Sequence, residues 1–149
     1  MTDRRSAPRV LVLCTANAAR SQMAEGLLRH DSGGRIEVAS AGTRPGQLRR
    51  EAVAVMAEIG IDIAGHRSKS VEEFLGQAFD VVLTVCDHAA ESCPVFPGDG
   101  RRIHHAFADP AAVRGDDTEV VAAFRRVRDE LRHYLTPLIE QLTVASPPR

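Results

Sequence analysis

The sequence predicts an α/β fold in which helices cover a parallel sheet, and three observations lead to this prediction. Short aliphatic runs alternate with amphipathic segments, which is typical of strands joined by helical crossovers. The length of 149 residues suits one domain that buries its own core. No repeat or low-complexity linker interrupts the chain, so we expect a single domain over residues 9–144, between a flexible arm (1–8) and a flexible tail (145–149).

The first half of the chain predicts two strand–helix units. Arg9–Leu13 is an aliphatic run that indicates a buried strand, and Arg20–His30 carries apolar side chains at helical spacing. Ile36–Ala41 predicts a second strand and Gln47–Ile59 a second helix. Gly60 follows this helix, at the place where a left-handed residue commonly ends one.

The second half predicts two strands and two helices. They are a short helix over 71–77, strands at Val81–Val85 and, more weakly, Arg101–Phe107, and a long helix from Asp117 or Thr118. The short helix follows from Ser70-Val-Glu-Glu73, which matches a capping box. Pro137 lies within the apolar stripe of the last helix. Because proline lacks an N–H group and crowds the preceding turn, we expect it to kink or divide that helix.

Composition excludes several classes of function. The net charge is −1 and aromatic residues make up 4% of the chain, with no tryptophan, so neither a nucleic acid nor a membrane surface is an expected partner. The N-terminus has charges but no apolar segment of a secretory signal, and we expect a cytoplasmic protein. Three cysteines in such a protein favour free, catalytic or redox-active thiols over a structural disulfide framework.

The segment Cys14–Ser21, "CTANAARS", joins the first strand to the first helix. A loop in this position aims backbone N–H groups at one point, and Arg20 adds a guanidinium suited to a tetrahedral oxyanion. Such surroundings favour a thiolate at Cys14. We therefore expect Cys14 to be a nucleophile beside an oxyanion-binding loop, and Ser21 to hydrogen-bond its sulfur. The expected binding residues are Thr15, Ala16, Asn17, Ala18, Ala19, Arg20 and Ser21. The alternative is a buried cysteine next to a surface arginine.

Cys86 and Cys93 are seven positions apart, which fits neither a C-x-x-C redox pair nor a tight zinc knuckle. If the segment were helical, the two sulfurs would be roughly 10 Å apart along the axis. A disulfide needs Cα atoms within about 7 Å, so its formation would require rearrangement. Spacing alone leaves two other interpretations open. Cys86 could be a core residue and Cys93 an incidental thiol, or both could join His88, His104 or His105 in an irregular zinc site.

The sequence resembles the low-molecular-weight protein tyrosine phosphatases and, more closely, the arsenate reductases that share their fold. The similarity begins with "VLVLCTANAARSQMAEGLLRH", in which glutamine occupies position 22 where the phosphatase branch usually has proline. It continues at "VASAG", "GIDI", "TVCDHAAESCP", "FADPA" and "FRRVRDEL", and covers nearly the whole chain. The resemblance implies a four-stranded parallel sheet with helices on both faces.

The resemblance also implies roles for the three cysteines. By analogy with the thioredoxin-coupled arsenate reductases, Cys14 would attack arsenate, and Cys86 would then release arsenite by forming a disulfide with Cys14. Cys93 would next attack Cys86 and form a second disulfide with it. The Cys86–Cys93 disulfide would be reduced by thioredoxin. Phosphate and sulfate would act as substrate analogues, no cofactor is implied, and a monomer is expected.

Asp109 precedes Pro110 and matches the general acid of this family, which protonates the leaving oxygen. Without that resemblance, an Asp-Pro pair is more often simply a turn. Many of the phosphatases have a tyrosine directly after the pair, whereas this chain has Ala111. That difference favours a reductase with at most a weak phosphatase side activity.

Some members of the family bind potassium near the loop. Asn17, Glu25 and Ser40 match residues of that site, but Lys69 takes the place of its acidic ligand. We expect the ammonium group of Lys69 to replace the cation and activity to be independent of potassium. The whole sequence therefore predicts a thioredoxin-dependent arsenate reductase. The alternatives are a low-molecular-weight protein tyrosine phosphatase and a non-catalytic redox-sensing or oxyanion-binding protein.

Overall fold

The computed structural model describes residues 7–144. The strands are β1 (Arg9–Cys14), β2 (Glu37–Gly42), β3 (Val81–Thr84) and β4 (Arg101–His104). The helices are α1 (Arg20–Asp31), α2 (Arg50–Ala57), α3 (Asp87–Glu91) and α4 (Asp117–Val144), with 3₁₀ turns at Val71–Phe74 and Pro110–Ala112. The expected tail and most of the expected arm lie outside the described residues.

All four strands are parallel and form one sheet in the order β2-β1-β3-β4. The predicted four-stranded parallel sheet is therefore confirmed. Register pairs Cys14 with Gly42 and Leu13 with Thr84. The carboxyl ends of the strands thus bring the segments that follow β1, β2 and β3 to one edge, where ligands bind in open α/β sheets.

Helices lie on both faces of the sheet because the chain crosses over in both directions. The β1-α1-β2 connection moves to one side of β1, and β3-α3-β4 moves to the other. Since crossovers between parallel strands are right-handed, α1 and α3 lie on opposite faces. Helix α4 packs against α1 and α2.

Aliphatic side chains of the central strands form the core. Val10, Leu11, Val12 and Leu13 have no exposed surface, and Phe124 on α4 is equally buried. A strand buried on both faces has a continuous apolar sequence, as in β1. The core therefore fixes the end of β1, and with it the position of Cys14.

Several boundaries differ from the sequence predictions. The helix expected over 71–77 is only the 3₁₀ turn Val71–Phe74, because the backbone is already extended at Leu75 and left-handed at Gly76. Helix α2 begins at Arg50 rather than Gln47 because the backbone N–H groups of Gly46 and Arg49 donate to carbonyls of the Cys14–Ser21 loop. The 86–93 segment, for which the sequence left loop and helix open, contains a helix that ends at Glu91, so Cys86 and Cys93 do not share a helix. The strand expected over Arg101–Phe107 ends at His104.

Pro137 does not divide α4, so that part of the prediction is wrong. The helix continues to Val144, with Leu131 and Leu135 buried before the proline and Leu138 and Ile139 buried after it. Packing on both sides of Pro137 outweighs the loss of one backbone hydrogen bond. Within the part of the chain that the structure covers, no helix combines the length and the apolarity needed to span a bilayer.

Candidate active site

The loop between β1 and α1 turns its carbonyl groups away from its own centre. Four of these carbonyls accept hydrogen bonds from the segment that follows β2, and a fifth, that of Asn17, accepts from the Gln22 side chain. The four backbone pairs are Thr43 with Cys14, Arg44 with Thr15, Gly46 with Ala16, and Arg49 with Ala18. With the carbonyls bound outside, the loop N–H groups point inward, which is the arrangement that binds anions.

Asn17 gives the loop its sharpest turn. Its φ angle is 51°, a left-handed conformation that asparagine tolerates better than most residues. Its backbone N–H group points at the Cys14 sulfur over 3.3 Å. The left-handed turn at Asn17 therefore directs one backbone N–H group to the thiol.

The N–H groups, the Cys14 thiol and Arg20 face a cavity of about 340 Å³. Its lining residues are Cys14, Thr15, Ala16, Ala18, Ala19, Arg20, Arg49, Asp109 and Ala111. The Arg20 guanidinium donates to the Phe107 carbonyl over 3.0 Å and lies 3.8 Å from the Asp109 carboxylate. A tetrahedral oxyanion in this cavity would meet backbone N–H groups and a guanidinium on one side and the thiol at its base.

A chain of hydrogen bonds runs from the Cys14 sulfur into the protein. Ser21 Oγ is 2.8 Å from Cys14 Sγ and 2.8 Å from Asn17 Nδ2. The Asn17 amide also donates to Ser40 Oγ over 2.9 Å, and Ser40 donates to Glu25 Oε1 over 2.6 Å. Because Ser21 accepts from the Asn17 amide, its own proton is directed at the sulfur. A thiolate at Cys14 would receive this bond and that of the Asn17 backbone N–H group.

Glu25 ends this chain and is nearly buried. Burial opposes its ionisation, but bonds from Ser40 and Arg29 and the charges of His66 and Lys69 outweigh burial and lower its pKa. The Lys69 ammonium is 3.8 Å from Glu25 Oε1 and donates to the Arg67 carbonyl over 3.1 Å. The expected set is thus gathered in one cluster, in which Asn17, Glu25 and Ser40 are buried and Lys69 is partly buried.

Cys86 lies beside the loop, and Cys93 lies apart from it. Cys86 precedes α3 and is nearly buried, with its sulfur 3.3 Å from Thr15 Oγ1. Cys93 follows α3, is partly buried, and donates to the Pro94 carbonyl over 3.4 Å. Cys86 therefore contacts the residue next to Cys14, whereas Cys93 lies beyond the other end of α3.

Arg102 on β4 holds the end of the Cys93 segment. One of its guanidinium nitrogens donates to the Pro94 carbonyl over 2.6 Å and to the Cys93 carbonyl over 3.5 Å. Burial raises the pKa of the Cys93 thiol, and the charge of Arg102 acts in the opposite direction. The guanidinium therefore anchors this segment and offsets part of the effect of burial, while the pKa of Cys93 stays above its ordinary value.

Across the described part of the chain, no three His, Cys, Asp or Glu side chains are grouped so as to bind a metal ion. His88 and His104 have other partners. His88 contacts Thr43 Oγ1 over 3.3 Å, and His104 contacts Asp87 over 2.8 Å and Thr84 Oγ1 over 2.8 Å. His105 packs in a tilted arrangement against the rings of both Phe107 and Tyr134, which also contact each other. The irregular zinc site left open by cysteine spacing finds no support in this arrangement.

Asp109 lies on the wall of the cavity opposite the loop. It has extended backbone geometry before Pro110, and its carboxylate accepts the backbone N–H of Ala111 over 3.0 Å. The proline and this bond fix the direction of the carboxylate, which remains 45% exposed. A group so placed can exchange protons with solvent and with an oxygen in the cavity.

Comparison with known proteins identifies the family. The family model described as low molecular weight phosphotyrosine protein phosphatase matches residues 9–146. The chain belongs to this family. It is 45% identical over 122 residues to an arsenate reductase of Halalkalibacterium halodurans, covering 82% of this chain and 88% of that one. It is 40% identical over 131 residues to an arsenate reductase of Bacillus subtilis, covering 88% of this chain and 94% of that one.

A solved structure gives the same result for the fold. An arsenate reductase in its phosphate-binding state superposes with a TM-score of 0.73 at 30% identity, covering 91% of this chain and 99% of the other. The low-molecular-weight phosphatase fold expected from the sequence is therefore confirmed. The family alone does not choose between phosphatase and reductase, whereas the two sequence relatives are both reductases.

Several residues of this phosphatase-family site were not identified from the sequence as functional. Gln22 is fully buried, and its amide donates to the backbone and side-chain oxygens of Asn17 and to the Arg67 carbonyl. Arg49 lines the cavity, and Gly42 approaches the loop closely. The sequence marks Gln22 only as the residue that stands where the phosphatase branch usually has proline, and it assigns no role to the side chain. Nothing local marks Arg49 or Gly42.

Proposed function

We propose that this protein reduces arsenate to arsenite in the cavity at Cys14, through a relay of Cys14, Cys86 and Cys93. The observation that carries the proposal is the Cys14 thiol that faces an oxyanion cavity, together with the Cys86 thiol that contacts Thr15, the next residue of the loop. A phosphatase needs only the first of these thiols. The names of the relatives, arsenate reductases at 45% and 40% identity, support the same reaction.

In the first step, the Cys14 thiolate attacks arsenic and an As–O bond breaks. Asp109 supplies the proton to the departing oxygen, which leaves as water. Arsenic remains As(V), bound to Cys14 sulfur. Bonds from Ser21 and from the Asn17 N–H group stabilise the thiolate before attack, and Arg20 stabilises the charge on the remaining oxygens.

In the second step, the Cys86 thiolate attacks the Cys14 sulfur and the S–As bond breaks. The bonding electron pair goes to arsenic, which leaves as As(III) arsenite, and a Cys14–Cys86 disulfide forms. The Cys93 thiolate then attacks Cys86 and Cys14 leaves as a thiolate. A dithiol, which we propose to be that of thioredoxin, supplies the two electrons that reduce the Cys86–Cys93 disulfide.

The relay requires the segment from Cys86 to Cys93 to change conformation, because α3 lies between the two cysteines. Helix α3 has only five residues, and isolated helices of this length are not stable by themselves. The contacts to be released are those of His88 with Thr43, His104 with Asp87, and Arg102 with Pro94. All three are at partly or fully exposed positions.

The same cavity accepts phosphate on chemical grounds, so we expect a weak phosphatase side activity. Ala111 lines the cavity directly after Asp109-Pro110 and offers no aromatic ring to a phosphotyrosine substrate. We further propose a cytoplasmic location, because the relay needs its three cysteines reduced. We also propose a monomer without an organic cofactor, as the resemblance to the reductases implies.

Lys69 is proposed to take the place of the potassium ion that some relatives bind. Its ammonium group faces Glu25, and its backbone N–H donates to Asn17 Oδ1 over 2.8 Å. Burial lowers the pKa of Lys69, and the charge of Glu25 acts against that effect. The cation beside Glu25 is thus part of the chain itself.

The relay predicts which cysteines are needed for turnover and which for the first chemical step. Arsenate-dependent oxidation of NADPH is measured with thioredoxin and thioredoxin reductase for the wild type and for Cys14→Ser, Cys86→Ser and Cys93→Ser. We expect each variant to lose turnover by more than about a hundredfold. Hydrolysis of p-nitrophenyl phosphate should be lost only in Cys14→Ser, since the other two variants keep the cavity. Wild-type turnover by Cys93→Ser would refute the relay, and equal rates with monothiols would remove thioredoxin from it.

A further inference from the structure

Arg49 occupies the boundary between the anion cavity and a second groove. The groove has a volume of about 330 Å³ and shares Arg49 and Ala111 with the cavity. Its other lining residues include Arg50, Glu51, Val113 and Val120. Arg49 is therefore the one arginine besides Arg20 that lines the anion cavity in the described structure.

The contacts of Arg49 keep it at this boundary. Its backbone N–H donates to the Ala18 carbonyl over 2.9 Å, which joins its main chain directly to the anion-binding loop. Its Nε donates to Glu51 Oε1 over 3.2 Å, and its Nη2 is 3.4 Å from Glu51 Oε2. The guanidinium carbon lies 5.8 Å from the centre of the Phe124 ring. Among the residues described, Nη1 has no hydrogen-bond acceptor.

We propose that Arg49 is a second anion-binding arginine, which binds arsenate from the open side of the cavity while Arg20 binds it from the loop. The proposal rests on the proposed function and names a further residue of the same site. Arg20 already donates to the Phe107 carbonyl and faces the Asp109 carboxylate, so part of its charge is offset. Near neutral pH, arsenate carries about one to two negative charges, as phosphate groups do. A second guanidinium adds donors and positive charge on the open side of the cavity, although Glu51 offsets part of that charge.

Glu51 acts as the tether of Arg49 in this arrangement. A bond from its own backbone and the neighbouring Arg49 and Arg50 lower the pKa of Glu51, so it stays ionised at neutral pH. The ion pair holds Nε and Nη2 and leaves Nη1 available to the anion. The Arg49 side chain is 40% exposed, so it can adjust to the ligand without disturbing the core.

The test compares Arg49→Gln with Arg50→Gln. Both remove one positive charge at adjacent positions, but Arg50 lines the second groove and not the anion cavity. Glutamine keeps the backbone bond to Ala18, so the loop is retained. Binding of inorganic phosphate is measured by calorimetry, and KM and kcat for arsenate are measured in the coupled assay. For Arg49→Gln we expect a Kd for phosphate and a KM for arsenate about tenfold higher, with kcat within about twofold. Arg50→Gln should stay within about twofold of wild type in all three.

The variant Arg49→Lys distinguishes the contribution of the guanidinium hydrogen bonds from that of the positive charge. A lysine restores a charge but not the fork of donors, so its Kd should lie between those of wild type and Arg49→Gln. Equal Kd values for Arg49→Gln and Arg50→Gln, or an effect on kcat alone, would overturn the proposal. Because phosphate binding needs no turnover, this result is independent of whether the protein reduces arsenate.

Discussion

At the scale of single residues, the charge of Glu25 sets the direction of the hydrogen bonds that reach Cys14. An ionised Glu25 accepts from Ser40, so Ser40 accepts from the Asn17 amide, and the same amide directs the Ser21 proton to the sulfur. A protonated Glu25 could itself donate to Ser40, and the donor and acceptor directions of the other hydrogen bonds would then no longer be fixed. The cations beside Glu25 keep it ionised, and they therefore influence the Cys14 thiol through four successive hydrogen bonds.

Removal of the Lys69 charge should make this network depend on an added cation. In Lys69→Ala, we expect arsenate turnover to fall severalfold in sodium buffer, because Glu25 loses one of the charges that lower its pKa. Potassium should restore part of the loss, and wild-type turnover should be the same in sodium and potassium. Arg67→Ala is the control, since its side chain pairs with the exposed Glu73 and lies outside the network. A clear stimulation of the wild type by potassium would contradict the role of Lys69.

At the scale of elements, the segment after β2 determines the shape of the anion-binding loop. Its N–H groups bind the carbonyls of Cys14, Thr15, Ala16 and Ala18. Ser68 adds a bond to the Ala16 carbonyl over 2.7 Å. Gly42 begins this contact. A Cβ atom at Gly42 would lie 2.5 Å from the Thr15 carbonyl oxygen and 3.0 Å from the backbone N of Asn17. The loop and the end of β2 therefore fit together only with glycine at this position.

Gly42→Ala should weaken anion binding by displacing the loop. Overpacking against backbone typically costs about 1–3 kcal/mol, and the atoms to be moved are those that present the N–H groups. We expect the Kd for inorganic phosphate to rise more than about tenfold. Gly46→Ala is a matched control on the same segment, because its added Cβ would lie 3.7 Å from Ala16 Cβ, an ordinary contact. Similar phosphate affinities for the two variants, both folded by circular dichroism, would exclude this role of Gly42.

The sequence predicts elements whose formation depends on local pattern and misses boundaries that depend on distant contacts. The strands β1, β2 and β3 were predicted because aliphatic runs report burial directly. The residues Gln47 to Arg49 were predicted as helix because their propensity is helical, but their backbone is used by the loop of another element. Pro137 was predicted to interrupt α4, and its packed surroundings override local preference. Long-range contacts decide these positions, and a local pattern does not contain them.

The same distinction applies to the candidate site, where residues adjacent in sequence were predicted and residues brought together by the fold were not. The loop from Cys14 to Ser21 and the pair Asp109-Pro110 carry their chemistry in a few adjacent residues, and the structure brings them to one cavity. The roles of the three cysteines in turnover stay predictions. Arg49 was not found because its relation to Cys14 depends on the bond between its backbone and Ala18. Arginine is common on protein surfaces, and only the fold distinguishes this one.

At the scale of the whole molecule, ion pairs link α4 to the C-terminal ends of α1 and α2, away from the cavity. Arg132 forms a two-point ion pair with Asp31, the last residue of α1, with N–O distances of 2.7 and 2.9 Å. Arg125 and Arg128 both pair with Glu58, just after α2. Helix α1 has 12 residues and is therefore about 18 Å long. The ion pair is thus separated from Arg20, at the other end of α1, by the length of the helix.

Arg132→Gln should therefore reduce stability and leave anion binding unchanged. Burial raises the pKa of Asp31, but Arg132 and His30 outweigh it, so the pKa lies below its ordinary 3.8 in the folded protein. A carboxylate of this kind stabilises the fold above its ordinary pKa, and the contribution is lost as the pH falls through the lower folded value. At pH 7 we expect a loss of up to about 1 kcal/mol in the free energy of unfolding. The difference from wild type should shrink below pH 3.8, and the Kd for phosphate should not change.

Urea denaturation of both proteins between pH 7 and pH 2.5 measures this difference. Arg125→Gln is the control on the same helix, because Glu58 keeps its second partner, Arg128, and the variant should lose less stability at pH 7. A stability difference for Arg132→Gln that stays constant down to the lowest pH would mean that packing of the arginine stem, and not the ion pair, is what α4 contributes. A higher Kd for phosphate in Arg132→Gln would instead mean that α4 positions the loop through α1. The structure predicts neither outcome, since the loop carbonyls are bound by the segment after β2 and by Gln22.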